Sequence, residues 1–584
     1  MGQRAILRGG GIRSYGQILL NRGIDAVAVA DATVEDTTQM AVFLITSLVF
    51  VTPVLVVGLG VPLLAVLPLV GVVYASYAYR TNRLSAGLLS GFFVLSIFGA
   101  NIPLLSGPEK AYFSIYIVDL LAISILAGLV YHDGLDWHSI YQSKLKIGAV
   151  LGFVVFVCWS YASAAIGNGP SQFASALFAM QQTRYLLLFL VTIFVIKETS
   201  LFVGLYPLLL SILGNLFYAV AEALAGRTFG LTYLGDAGGR ELFELTFGPL
   251  TLPTGLYAGG FVGDTRILIS LALLLLPFLV YWGVYGSQRV SIVAILGILS
   301  AVYIIRFGET DAGWMASLIV LGLTAALWAW LSLSENDFGL LSGCILSLSG
   351  IGASMLLYQQ RFYDFFAEES PDPTNESSNE STSGNATEST GGSNGTTSSS
   401  EGAAAGGGGS GDGGMSVNEW ITELFSYIPL IKVDTLGVRL SQYAAAVEIL
   451  LTYPLFGIGG YNFVLVAEEY GVPSALGVHN TFFSHLAATG IIGLISYSVS
   501  VLAVVGLVVV HIRRASQRRR LLWGCILTGL IGFHAYSFWV VIYGWHASNV
   551  AFWLLSGIVV GASSAVSNED EVQQTSESAV PYSS

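Results

Sequence analysis

The sequence predicts an all-α fold, a polytopic bundle of membrane-spanning helices. Hydrophobic residues make up 54% of the 584 residues and charged residues only 10%, and the mean hydropathy is +0.71. The chain also contains about fourteen apolar runs of roughly the 20 residues that a helix needs to cross the hydrocarbon core of a bilayer. These observations together indicate a protein built for hydrocarbon rather than for water.

The apolar runs divide into two groups, eleven before residue 359 and three after residue 484. The count can fall to about twelve. Residues 40–79 could be one pair joined by a tight turn, and residues 185–221 are interrupted only by Lys197 and Glu198. The predicted spans are centred near residues 48, 69, 94, 121, 157, 191, 209, 276, 297, 323, 348, 497, 531 and 556. The first run begins near residue 40 without a small-residue cleavage site, so we expect no cleaved signal peptide.

Cations in the short loops orient the predicted bundle, because cytoplasmic loops carry an excess of Lys and Arg. If fourteen spans are counted, the cationic clusters all fall on one side. They are Arg4, Arg8, Arg13 and Arg22; Arg80 and Arg83; Lys144 and Lys146; and Arg513, Arg514, Arg518, Arg519 and Arg520. We therefore expect a multi-pass protein of the cell (plasma) membrane with both termini in the cytoplasm. Arg outnumbers Lys 19 to 5 and the net charge is −13, a balance that would suit a salt-loving archaeon.

The predicted order of segments follows from the spans. It is a cytoplasmic N-terminal segment 1–38, a bundle of about eleven spans 39–358, an extracytoplasmic segment 359–484, the last three spans 485–566, and an acidic cytoplasmic tail 567–584.

The large extracytoplasmic segment begins with a predicted disordered linker, residues 370–414, and ends with a more regular part, residues 417–484. The linker is almost purely Ser, Thr, Gly, Asn, Glu and Asp, which is too poor in apolar residues to bury a core. Its four Asn-x-Ser/Thr sequons favour an external location if the cell glycosylates them, although such linkers also generate sequons by chance. The sequons are at Asn375, Asn379, Asn385 and Asn394.

No metal or cofactor is expected. The three cysteines lie inside apolar runs, without disulfide or zinc spacing. No cluster of carboxylates such as Asp-x-Asp is evident outside the membrane, and no nucleotide-binding loop is seen. The cysteines are Cys158, Cys344 and Cys525.

The most informative pattern lies in residues 435–494. A predicted helix runs from Arg439 to Leu451 and ends at Tyr453-Pro454, because a residue that precedes proline is disfavoured in the helical region. Gly457 and Gly459 then let the backbone turn sharply or approach another group closely. His479-Asn480 immediately precedes the twelfth predicted span, where Asn480 is expected to cap the helix or to orient the imidazole.

This segment resembles the C-terminal signature of the O-antigen ligase and polymerase superfamily of membrane glycosyltransferases. That signature typically has an Arg, a helix, Pro-Leu-x-Gly-x-Gly, a spacer, His-Asn and a glycine-bearing span. Four groups match it in order: Arg439, Pro454-Leu455-Phe456-Gly457-Ile458-Gly459, His479-Asn480 and Gly490-Ile491-Ile492-Gly493. Elsewhere the likeness is limited to many spans with one large external segment before the last few helices.

The resemblance implies transfer of a saccharide from a polyprenyl-type or dolichyl carrier, linked by phosphate or pyrophosphate, to an acceptor hydroxyl on the outer membrane face. The expected partners are this lipid-linked donor, a glycan, glycolipid or glycoprotein acceptor, and membrane lipid, with no nucleic acid. Such chemistry needs cations that neutralise the departing phosphate and a base that activates the hydroxyl. Arginine suits the first role and histidine the second.

The candidate catalytic residues are therefore His479 and Arg439. The candidate phosphate ligands are external arginines, namely Arg184, Arg266, Arg306 and Arg439, of which Arg184 and Arg266 are expected to lie immediately before a span. The alternative for each arginine is a topology anchor whose side chain extends to the interface. Where the superfamily often has an arginine, this chain has Asp311, so either Arg306 supplies that charge or the protein uses a different donor.

Two other classes of function stay open. A lipid-linked saccharide flippase or another transporter would also have a dozen or more spans, but would be expected to show internal repeats and broken helices at the midplane. A structural or sensory membrane protein would tolerate replacement of Arg439 and His479. The choice between ligase and polymerase depends on the acceptor and is not made by the motif.

Overall fold

The computed structural model describes residues 34–58, 63–98, 101–106, 112–132, 135, 137–141, 143–229, 231, 245–247, 250–252, 259–307, 311–335, 341–352, 433–472, 477–540 and 546–562. The chain forms two compact units. The larger comprises Met1–Leu357 and Ser441–Ser584, and the smaller comprises Tyr358–Leu440. Of the smaller unit the structure describes residues 433–440, which begin a helix. The whole predicted linker with its four sequons, the following residues 415–432, the N-terminal segment before Val34 and the acidic tail lie outside the described residues.

The described part of the first half is built from helices. They are α1 (Val34–Thr46), which continues into π-helical turns Ser47–Val51 and Val54–Gly58, α2 (Leu63–Arg80), α3 (Leu84–Leu95), α4 (Ile117–His132), α5 (His138–Tyr141), α6 (Lys144–Ile166), α7 (Gln172–Glu198) and α8 (Leu201–Ala225).

The remaining described helices belong to the second half of the chain. They are α9 (Thr265–Tyr285), α10 (Gln288–Phe307), α11 (Asp311–Glu335), α12 (Leu341–Gly352), α13 (Val433–Thr452), α14 (Phe463–Val466), α15 (Thr481–Arg514), α16 (Gln517–Trp539) and α17 (His546–Ala562). Short 3₁₀ turns occupy Gly260–Val262 and Ala467–Tyr470.

Each of the predicted span centres falls inside one of these helices. Among the described residues, nine helices are long and apolar enough to cross a membrane. A further four apolar helices are shorter, namely Leu84–Leu95, Ile117–Tyr131, Leu341–Gly352 and His546–Ala562. The chain is thus mostly helical, with the multi-span architecture that the sequence predicts.

Two short antiparallel β-hairpins depart from the all-α prediction. In the first, β1 (Asn101–Ser106) pairs with β2 (Tyr112–Tyr116), and the register shifts between Pro103 and Leu105. In the second, β3 (Leu245–Phe247) pairs with β4 (Leu250–Leu252). The first hairpin leads directly into α4 and brings Ser114 and Tyr116 against α7, as described below.

Small residues let the central helices approach each other closely. Along the contact of α15 with α6, the Ser500 hydroxyl donates to the Ala149 carbonyl at 2.7 Å, and a Cβ on Gly152 would lie 2.9 Å from the Ser496 carbonyl oxygen. Along the contact of α17 with α7, a Cβ on Gly557 would lie 2.8 Å from the Phe189 carbonyl oxygen. In a membrane, where lipid is as apolar as leucine, such close backbone packing is a principal source of helix association.

Candidate functional site

The glycine-rich turn after α13 is tightly closed. The Tyr453 N–H donates to the Ile449 carbonyl at 2.7 Å, and the Gly457 N–H donates to the Tyr453 carbonyl at 3.0 Å. Gly457 and Gly459 have φ angles of +62° and +80°, a region that glycine enters without the clash a Cβ would cause. A Cβ on Gly459 would also lie 2.0 Å from Ser175 Oγ. Both glycines therefore occupy positions at which a side chain has no room.

This turn fits into a break in α15. Gly490 interrupts the helix with φ +65° and ψ −167°, so its neighbours cannot complete their helical hydrogen bonds. Three backbone hydrogen bonds of 2.9 Å join the turn to the break: Ile458 N–H to Ala487 O, Gly459 N–H to Ala488 O, and Ile491 N–H to Pro454 O. We call residues 454–460 and 487–491 together the glycine joint.

Two side chains of α6 bind both halves of the glycine joint. The Trp159 indole N–H donates to the Leu455 carbonyl at 3.0 Å and to the Thr489 carbonyl at 3.1 Å, and its ring stacks on Phe456 with centroids 4.7 Å apart. The Ser163 hydroxyl lies 2.5 Å from the Phe456 carbonyl and 2.8 Å from the Ala488 carbonyl. The joint is therefore fixed to α6, one of the helices long and apolar enough to cross a membrane.

Asn462 attaches the end of the turn to the start of α7. Its Oδ1 accepts the Ser171 N–H at 2.9 Å. Its Nδ2 donates to the Ser171 carbonyl at 3.2 Å, to Ser175 Oγ at 2.7 Å and to the Ile458 carbonyl at 2.7 Å. The side chain is fully buried, so its donors and acceptors are satisfied by protein groups rather than by water.

His479 is half-buried and held by Gln442, a fully buried residue of α13. Gln442 Oε1 accepts the His479 backbone N–H at 3.0 Å and lies 2.9 Å from His479 Nδ1. Because the backbone N–H can only donate, the amide oxygen must face the histidine, and Nδ1 must then carry a proton. In the neutral imidazole the lone pair consequently lies on Nε2, the nitrogen on the other side of the ring.

The backbone around His479 is fixed by two more polar side chains. The Tyr443 hydroxyl lies 3.1 Å from the His479 carbonyl and 3.3 Å from the Phe538 carbonyl. Asn480 Nδ2 donates to the same Phe538 carbonyl at 2.9 Å, while Asn480 Oδ1 accepts the N–H groups of Phe482 and Phe483 at 2.8 Å and 3.1 Å. Asn480 is thus the N-cap of α15, and Gln442, not Asn480, orients the imidazole.

The sequence predicted that Arg184 lies immediately before a span, and this prediction is wrong, because Arg184 lies inside α7. Its Nε donates to Asp119 Oδ2 at 3.1 Å, and its Nη2 donates to the Ser114 carbonyl. The guanidinium also lies 4.7 Å from the ring centroids of Phe113 and Tyr116. With a side chain only 4% exposed, Arg184 has its charge neutralised within the protein.

Arg266 and Arg306 lie at one end of the α9–α10 hairpin. Arg266 is the second residue of α9 and pairs with Asp264, whose Oδ2 is 2.8 Å from Arg266 Nη2. Arg306 is half-buried in the last turn of α10. Since Gly286 and Ser287 alone connect the two antiparallel helices, both arginines fall at the end of the hairpin that is remote from this connection.

Contacts along α16 and α17 place this end of the hairpin on the same side of the bundle as His479. Arg266 interacts electrostatically with Tyr536, which lies two residues before Phe538, the acceptor of the Asn480 side chain. The Ser270 and Ser548 hydroxyls are 2.6 Å apart. We call this side, where α15 begins, the His479 end of the bundle.

Arg184 lies in the middle of α7, and its neighbour Tyr116 connects it to the start of α17. The Tyr116 ring stacks on the buried His546 ring at the start of α17, with centroids 3.4 Å apart. His546, in turn, interacts electrostatically with Arg184. Arg439, on α13, belongs to the smaller compact unit and is half-buried. It lies one helical turn before Gln442 in the sequence.

A cavity of about 770 Å³ opens beside α1, away from these residues. It is lined by Val34, Glu35, Thr38, Gln39, Val42, Phe43, Thr46, Tyr77 and Tyr206. None of these belongs to the motif region. Within the residues that the structure describes, no group of three or more His, Cys, Asp or Glu side chains is arranged to hold a metal ion.

The chain matches no protein-family model, and no curated protein matches it.

Sequence reasoning did not single out Gln442, Asp119 or Tyr443 as site residues. Gln442 follows Ser441 and lies three residues after Arg439, so its polarity alone does not distinguish it in the sequence. Asp119 lies 65 residues before Arg184, and no local pattern connects the two.

Proposed function

We propose that the chain is a membrane glycosyltransferase of the O-antigen ligase/polymerase type. It moves a saccharide from a polyprenyl or dolichyl (pyro)phosphate carrier to an acceptor hydroxyl on the outer membrane face, in the synthesis of cell-surface polysaccharide or glycoconjugate. The proposal includes about fourteen spans with both termini in the cytoplasm, so that the His479 end of the bundle faces outwards.

The observation that carries the proposal is the orientation of His479 by Gln442. A general base must present a lone pair to the proton that it removes. The contacts of Gln442 Oε1 with both the backbone N–H and Nδ1 of His479 put that lone pair on Nε2. The imidazole is half-buried and can therefore meet a substrate at the protein surface.

In the proposed reaction, the acceptor oxygen attacks the anomeric carbon of the donor saccharide. The acceptor proton moves to His479 Nε2, and the bond between the anomeric carbon and the phosphate oxygen breaks. The carrier phosphate leaves with the electron pair, and arginine guanidinium groups neutralise its charge, since they bind phosphate oxygens bidentately and keep their protons. The chemistry requires neither a metal ion nor ATP.

Among the arginines, we assign the leaving phosphate to Arg439, with Arg266 and Arg306 as further candidates. Arg439 occupies the arginine position of the motif. Arg266 has a side chain that is 47% exposed, so it remains accessible despite its ion pair with Asp264. Arg184 is assigned a structural role instead, because a phosphate would first have to displace Asp119 from a buried ion pair.

The test is a profile of lipid-linked saccharides in the native host for the wild type, Arg439→Ala and His479→Ala at equal membrane levels. Loss of a general base lowers the rate by about 10²–10⁴, so His479→Ala should accumulate the carrier-linked glycan and lose a surface glycoconjugate. His138→Ala replaces an exposed histidine on α5 and is the matched control. Unchanged profiles in both site variants would refute the catalytic assignment.

The location of the accumulated donor separates this proposal from a flippase. A defective transferase leaves the carrier-linked glycan on the outer leaflet, where an externally added glycosidase degrades it in intact cells. A defective flippase leaves it on the inner leaflet and protected. The break at Gly490 resembles the interrupted helices of transporters, but it lies nine residues after the start of α15 and is filled by backbone of the turn.

A further inference from the structure

A concentration of cations lies at the end of the bundle opposite to His479. After the break at Gly490, α15 extends about 36 Å to Arg514. Its last residues, with the start of α16, contribute most of this charge. The cations are Lys144 and Lys146 of α6, Lys197 of α7, Arg513 and Arg514 of α15, and Arg518, Arg519 and Arg520 of α16. We call this side the basic end of the bundle.

Two side chains at the basic end are buried although they carry or can acquire positive charge. Lys146 is 5% exposed and His511 is 7% exposed. Within the described residues, the buried His511 Nε2 has no hydrogen-bond partner. The Trp523 ring stacks on the His511 ring, with the two ring centroids 4.2 Å apart. Buried polar groups of this kind ordinarily have a partner.

The charged side chains that interact with Lys146 and His511 are positive. Lys146 interacts electrostatically with Lys197, and His511 does so with Lys146 and Arg514. The carboxylate of Glu198 lies 3.6 Å from Lys197 Nζ, and its side chain is 46% exposed. Repulsion between like charges in a partly buried site weakens the fold unless an anion offsets it.

The helix termini at the basic end add to this imbalance. α6 begins at Lys144 and α16 begins at Gln517, and neither has an acidic residue in its first turn. The N-cap residues Ser143 and Ser516 form no side-chain capping hydrogen bond. A helix N-terminus carries partial positive charge and favours an anion, yet both of these first turns carry cations.

We propose that the basic end binds a phosphate group, held by the Lys146 ammonium and His511 imidazole with Arg514 at the entrance. Phosphate supplies an acceptor oxygen for His511 Nε2 and negative charge for Lys146, for the other cations and for both helix termini. The position of the site at the end of membrane-spanning helices favours the headgroup phosphate of an anionic lipid, and a free phosphate has the same binding chemistry. This site is separate from the proposed transferase site, at the other end of the bundle.

The experiment measures lipid binding by the purified full chain in phosphatidylcholine nanodiscs with and without phosphatidic acid. The wild type should have a higher melting temperature with phosphatidic acid and should retain it in native mass spectrometry. A cation near an anionic lipid contributes about a fivefold factor in affinity, so loss of the Lys146 charge in the Lys146→Gln, His511→Gln double variant should lower affinity at least about fivefold. Arg513→Gln removes one exposed cation outside the proposed contacts and should retain the wild-type difference.

A second arm uses inorganic phosphate with the protein in neutral detergent. Stabilisation of the wild type by phosphate but not by chloride at equal ionic strength, absent from the double variant, identifies a free anion as a ligand of the same site. If the double variant does not fold, the delipidated wild type is tested alone. Its melting temperature must then rise on addition of phosphatidic acid or of inorganic phosphate. Equal binding by the wild type and double variant, or a wild type indifferent to both probes, overturns the proposal.

Discussion

Replacement of Gly490 by alanine should strongly destabilise the protein, because it acts on both halves of the glycine joint. With φ +65° and ψ −167°, residue 490 occupies a region that is essentially restricted to glycine and that costs other residues about 1–3 kcal/mol. An added Cβ would also lie 2.3 Å from the Leu455 carbonyl oxygen and 2.7 Å from the Pro454 carbonyl oxygen. The turn would have to move out of the break.

The expected magnitude follows from what the turn then loses. Withdrawal breaks the three backbone hydrogen bonds of the joint, each of which contributes about 1 kcal/mol. Together with the backbone strain, the loss in the free energy of unfolding is about 4–6 kcal/mol. At about 1.4 kcal/mol per factor of ten, this lowers the ratio of folded to unfolded protein by three to four orders of magnitude.

The assay is equilibrium unfolding of the purified protein in detergent micelles by titration with a denaturant. Gly322→Ala is the matched control, since Gly322 lies in α11 and a Cβ there would meet no atom within 4 Å. The control should be neutral or slightly stabilising, because alanine favours a helix over glycine. If Gly490→Ala unfolds at the same denaturant concentration as Gly322→Ala, the joint does not stabilise the fold as the structure indicates.

Three further substitutions test the remaining contacts. In the same titration, Asp119→Asn should lower the free energy of unfolding by about 3–5 kcal/mol, because it leaves the Arg184 charge buried without its carboxylate. A double Asp119→Leu, Arg184→Met variant should recover most of that loss. Equal stability of the single variant and the wild type would contradict a stabilising ion pair. Asn462→Ala should lose about 2–4 kcal/mol, since it removes a buried side chain with four hydrogen bonds, and an unshifted unfolding midpoint would show that the attachment to α7 is dispensable. Gln442→Leu should lower surface-glycan formation roughly tenfold to hundredfold at unchanged membrane level, a part of the 10²–10⁴ that a general base contributes, whereas wild-type output would show that His479 needs no orienting partner.

The positions of the helices could be predicted, because a run of about 20 apolar residues is by itself typical of a membrane-spanning helix. The start of α7 shows where this signal ends. The apolar run begins at Tyr185, but the helix begins at Gln172, where Ser171 Oγ accepts the Ala174 N–H at 3.1 Å. Arg184 was therefore expected before a span, and the structure places it in the middle of one.

The partners of the candidate site residues could not be predicted, because they depend on contacts between distant segments. The break at Gly490 is stable only when the turn, some 30 residues earlier, fills it. Nothing in the local pattern around Gly490 distinguishes such a break from an ordinary glycine in a membrane helix. Likewise, Gln442 acquires its role only once residue 479 returns to α13.

The break in α15 divides the helix into one piece that carries the His479 region and one piece that packs against α6. The nine residues before Gly490 follow directly from Asn480, and so they share the alignment of His479. The remaining residues, up to Arg514, are packed along α6. Because the joint, and not the helix axis, sets the angle between these two pieces, substitutions in the turn can re-aim the surface around His479 without changing how the helix is anchored.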